Sequence, residues 1–93
     1  MYKRQITNNT LAVYPNPVHQ NITVQYELNS PEKMTIELLD QHGKVVSVLL
    51  SNQLQEIGSY TQNLILPSNL SSGTYFVVLS SPNGRATTKI VKE

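Results

Sequence analysis

From Leu11 to Val91 no apolar stretch outlasts a single strand, and each ends at a cluster of Pro, Gly, Asn or Ser. A chain punctuated this evenly has no room for a long helix and reads as a β-sandwich or barrel. The alternation is cleanest in Asn21–Leu28, where Ile22, Val24, Tyr26 and Leu28 face one way and Thr23, Gln25 and Glu27 the other. One dry face and one wet face mean an antiparallel strand lying on a core.

Six further segments follow the same logic. Leu11–Tyr14 ends at Pro15-Asn16-Pro17, where the prolines remove backbone donors and stop two-sided pairing. Met34–Asp40 carries Met34, Ile36 and Leu38 on one face. It turns at Asp40-Gln41-His42-Gly43, whose glycine supplies a positive φ. Val45–Leu50 is apolar on both faces apart from Ser47, which predicts a central strand or one covered on its second side. Residues 51–57 read as a polar connection closed by Gly58, and Tyr60–Leu66 stops at Pro67. Residues 67–73 are too short for a stable helix, and Leu70 is expected to plug one end of the core. Thr74–Ser80 leads through Asn83-Gly84, a pair favoured in hairpin turns, into Ala86–Val91. The fold class is therefore all-β: a seven-stranded antiparallel β-sandwich, immunoglobulin-like. With an odd strand count, the chain enters at one pole and leaves at the other.

Length allows one domain, 11–93, and the polar, aperiodic residues 1–10 read as linker. With no cysteine, neither disulfides nor thiolate metal sites brace it. Charged residues make up 14%, against roughly 25% in an average globular protein. The net charge of +1 offers no field for a polyanion, so nucleic acid is not an expected partner. No apolar run approaches the ~20 residues of a membrane-spanning helix. Gln5, Thr7, Asn8, Asn9 and Thr10 break any signal-peptide core, so an export signal would lie upstream.

Reactive chemistry finds no foothold. Asp40 and His42 flank a turn without a nucleophile beside them, and Gly43-Lys44-Val45 lacks the rest of a phosphate loop. His19 and His42 lie in different turns without metal-ligand spacing, and Asp40 is the sole aspartate among scattered acids. No catalytic residue, cofactor or metal is expected. Tyr14, Tyr26, Tyr60 and Tyr75 would suit a sugar-binding face, but three share a face with aliphatic residues and read as packing. Three formal glycosylation sequons, at Asn8, Asn21 and Asn69, carry no assigned role.

Four motifs in order give the chain a likeness. Val13-Tyr14-Pro15-Asn16-Pro17, Ile36 to Val46 around Asp40 and Gly43-Lys44, Leu70 to Leu79 around Gly73 and Tyr75, and Lys89-Ile90-Val91-Lys92 resemble the type A C-terminal sorting domain of the type IX secretion system of Gram-negative bacteria. Leu39 replaces the family's usual aromatic. The resemblance covers Leu11 to the end. It implies a non-catalytic secretion signal, the C-terminal domain of an upstream cargo. The type IX translocon, its outer-membrane shuttle and a sortase-like peptidase would be its partners. It implies passage through the periplasm to the cell surface or medium, with removal of the domain at the surface. Recognition is expected to fall on Pro15, Asn16, Pro17, Asp40, Gly43, Lys44, Gly73, Tyr75, Lys89, Ile90, Val91 and Lys92, and cleavage on residues 7–10. If Ala86–Val91 is a sheet edge, it is a template for strand addition. Deleting Lys89–Glu93 is then expected to abolish export while the rest stays folded. The alternative reading is an immunoglobulin-like adhesive or carbohydrate-binding accessory module of a secreted enzyme.

Overall fold

A computed structural model describes residues 11–82 and 84–93. Residues 1–10, including the linker and the expected cleavage stretch, and Asn83 of the expected hairpin turn lie outside the described residues. Seven strands form two sheets: β1 (Ala12–Tyr14), β2 (Asn21–Leu28), β3 (Glu32–Asp40), β4 (Val45–Gln55), β5 (Gly58–Ile65), β6 (Gly73–Ser81) and β7 (Gly84–Lys92). The small sheet is ordered β1-β2-β5 and the large one β4-β3-β6-β7, with every strand pair antiparallel. This is the expected sandwich.

The core lies where the alternating faces meet. Ile22, Val24 and Tyr26 of β2 face Met34, Ile36 and Leu38 of β3 and Val77, Leu79 and Ile90 of the neighbouring strands; all are at most 2% exposed. Each aliphatic side chain so buried contributes about 1.5–3 kcal/mol relative to exposure. Leu70 packs half-buried against this core, and Pro67 C=O accepts from the Leu70 N–H at 3.4 Å, the single loose turn expected there.

β4 departs from expectation twice. It is an edge strand, not a central or covered one, and Val45 and Val48 stand 44% and 51% exposed. It also continues through residues 51–55, expected as a connection. Strand order alone makes β4 an edge, and its pairing with β3 is irregular, with register shifts at three points. The shifts turn Val46, Leu49 and Leu50 onto the core and release Val45 and Val48 to solvent. Asn52, at φ 48°, makes the sharpest adjustment, and its N–H donates to Thr35 Oγ1 at 3.0 Å. Beyond it, Gln53, Leu54 and Gln55 pair with Met34, Lys33 and Glu32. Period-two reading cannot register a bulged strand, because the bulge breaks the period.

Tyr26 joins the sheets. Its ring stacks on Tyr60 with centroids 5.4 Å apart, and its hydroxyl donates to Gln55 Oε1 at 2.5 Å while accepting from Gln62 Nε2 at 3.4 Å. Burial pushes this phenol above its usual value of 10.0, against the lowering effect of the Gln62 and Gln55 hydrogen bonds. It therefore remains a donor to Gln55, itself only 8% exposed. Tyr26→Phe is expected to cost about 1–3 kcal/mol, because it leaves a buried amide oxygen unpaired. Adding Gln55→Leu is expected to recover part of that loss. Urea unfolding of the two variants checks both statements.

Candidate functional site

The β3–β4 hairpin is built by Asp40. Its Oδ1 accepts from the N–H groups of His42 at 2.9 Å and Lys44 at 3.0 Å. The Asp40 N–H donates to Lys44 C=O, and the Gly43 N–H donates to Asp40 C=O. Gly43 sits at φ 85°, a conformation costly for a residue with a Cβ. The Lys44 N–H holds the Asp40 carboxyl below its usual 3.8, outweighing the opposing effect of burial, and the His42 N–H adds to the lowering. The aspartate thus organises the turn.

Asp40 pairs with Tyr75 of β6, which pairs with Ile90 of β7, and Gly73 pairs with Lys92. Gly73 enters β6 at φ 150°. The Tyr75 hydroxyl donates to Ser71 C=O at 2.8 Å, tying the 70–73 loop down. Between the hairpin and this loop lies a shallow depression of about 210 Å³, lined by Asp40, Gln41, His42 and residues 71–75.

The Pro15–Val18 segment closes the same pole. Asn16 Oδ1 accepts from Val91 N–H at 2.9 Å, Val18 N–H donates to Val91 C=O at 2.8 Å, and Glu93 N–H donates to Val18 C=O at 2.9 Å. Val18, fully buried, thereby forms a parallel bridge with Lys92. β7 is a sheet edge, as its strand-addition role required, but this strap already holds the outward backbone groups of Val91. Beside it, His19, Gln20, Pro67, Ser68, Lys92 and Glu93 line a second depression of about 260 Å³. The His19–Glu93 pair across it is 3.9 Å apart and largely exposed, so it adds little.

Motifs at 15–17, 40–44, 73–75 and 89–92 therefore meet at one pole. The folded domain presents Pro15, Asn16, Pro17, Gly43, Lys44, Gly73, Lys89 and Val91 to solvent and half-covers Asp40 and Lys92. Tyr75 and Ile90 point inward and are 7% and 0% exposed, so their side chains support the pole from beneath. Local reading missed two features. Asn16 grips Val91, 75 residues away, and Val18 bonds the same residue, contacts with no local signature. An apolar row, Val45-Leu39-Phe76, also crosses the outer face of the large sheet and ends at Lys89. It was legible only as apolar residues on the second faces of β4 and β6.

Among the described residues no three His, Cys, Asp or Glu side chains gather to hold a metal ion. Tyr26, Tyr60 and Tyr75 pack inward, whereas Tyr14 is 44% exposed.

The sequence profile of one family, described as secretion system C-terminal sorting domain, matches residues 12–93. No curated protein matches the chain.

Two measurements probe the pole. Asn16→Ala is expected to cost about 1 kcal/mol and to speed hydrogen exchange at the Val91 amide. The stability supplied by the Asp40 carboxylate is full above its unfolded value near 3.8 and is lost as pH falls through the lower folded value. Urea midpoints followed into acid are thus expected to fall less steeply for Asp40→Asn than for the unaltered chain.

Proposed function

The chain belongs to the family of type IX secretion system C-terminal sorting domains, and from that premise we propose that it carries a fused cargo from the periplasm across the outer membrane and is removed at the cell surface. Family membership implies engagement with the type IX system and export to the cell surface or beyond. The finer steps, binding to the translocon and its shuttle and cleavage by a sortase-like peptidase between cargo and β1, are our reading.

The observation that carries it is the gathering of four sequence-distant motifs on one pole, with exposed Lys44, Lys89 and Val91 beside an uncovered apolar row. A signal read by shape needs such a fixed constellation and no reactive group. Side chains held by a hairpin, a tyrosine tie and a strap are pre-organised, which lowers the entropic cost of docking.

The structure also changes the best test. Removing Lys89–Glu93 would take Ile90 out of the core and release Val18, so folding and recognition would fail together. Exposed charges separate the two. Residues 11–93 fused behind a reporter with a signal peptide, in a type IX-competent host, are expected to deliver the reporter to the cell surface. Lys44→Glu with Lys89→Glu is expected to leave the melting temperature within a few degrees and to cut surface delivery roughly tenfold. Periplasmic retention of the unaltered fusion would overturn the reading in favour of an adhesive module.

A further inference from the structure

Among the described residues four strands are sheet edges, and three are guarded against pairing with other chains. β1 is three residues long and runs into Pro15. β4 is bulged and kinked at Asn52. β7 carries Arg85 and Lys89 on its outer face, and its end is held by Asn16 and Val18. Short length, bulges, charge and covering segments are the usual protections of an edge.

Among the described residues, β5 has none of them. Its eight residues, Gly58–Ile65, contain no charge and no proline, and they pair with β2 in unbroken register. The direction of its free backbone groups follows from one bond: Leu66 N–H donates to Gln20 C=O at 2.8 Å, which continues that register by one pair. Antiparallel pairs alternate between bonded and non-bonded. Leu64, Gln62, Tyr60 and Gly58 therefore bond to β2, while Ser59, Thr61, Asn63 and Ile65 turn their N–H and C=O groups away from the sheet.

The packing beside this edge is incomplete in the same place. The small sheet has three strands over four, and β1 stands beside β7, so the missing place falls next to β5 on the side of β4. There Val46, Leu49 and Leu50 of β4 and Tyr60 and Leu64 of β5 touch the core yet stay only half-buried. Backbone groups awaiting a ladder border a seam that is uncharged and, apart from Gln62, apolar.

We propose that the free edge of β5 accepts an extended strand from another polypeptide, apolar at alternate positions, which adds a fourth strand to the small sheet and covers the seam. The backbone edge requires an extended chain, and the seam requires uncharged apolar side chains on its inward face. A second copy of this domain fits less well. The inward side chains of its own β5 already pack on its own core, so it brings nothing free to the seam. The inference goes beyond the sorting reading, stands on the fold alone, and its test in purified protein leaves export untouched.

The probe is a synthetic peptide with valine at alternate positions, threonine between them and lysines at both ends. Its control is a peptide of the same composition in scrambled order. Hydrogen exchange followed by NMR is expected to slow roughly tenfold at the amides of Ser59, Thr61, Asn63 and Ile65 with the alternating peptide only. Thr61→Pro deletes an outward N–H without removing a bond to β2, and it is expected to abolish that protection while the β2 amides stay protected. Exchange in the unaltered protein serves as the readout even if this variant unfolds. Unchanged exchange at the four amides, protection appearing at β7 instead, or protection at β5 from self-association without peptide would each overturn the proposal.

Discussion

Everything in this domain hangs on the inward face of β3. Met34, Ile36 and Leu38 are fully buried, and their strand is the one that pairs with both β4 and β6 while facing β2 across the core. No disulfide shares the load, because the chain has no cysteine. A domain this small buries only about 60–65% of the surface its unfolded chain exposes, so little apolar surplus remains after chain entropy is offset. That is why the inward positions of β2, β3, β6 and β7 are so completely filled.

Around that core, tyrosine hydroxyls act as ties. Tyr60 donates to Glu56 C=O and Tyr75 to Ser71 C=O, each reaching four residues back to pin the loop that leads into its own strand. Tyr26 performs the same service between sheets through Gln55. In each case an aromatic ring packs against the core and delivers one polar atom to a backbone or amide oxygen. Of these ties, the one from Tyr75 holds the 70–73 loop at the pole where the motifs gather.

The surface divides the labour. One pole gathers the four family motifs, and its strap occupies the terminal edge where it meets Pro15–Val18. On the opposite flank, no described residue pairs with the outer edge of β5. Among the described residues three edges are guarded and the fourth is regular and uncharged, an asymmetry that packing alone does not require.

Strand number, the inward faces of β2, β3 and β6, and the Asp40–Gly43 turn were all legible in the sequence. Period-two alternation and turn chemistry are local and survive any tertiary arrangement. The family likeness was legible too, since its motifs are short and ordered along the chain. Tertiary structure alone decided which strands became edges, why β4 outruns its apolar segment, and that Asn16 and Val18 would clasp Val91 and Glu93. Those outcomes depend on register, bulges and contacts between residues tens of positions apart. They are set only when two sheets compete for the same side chains, and no local pattern encodes that competition.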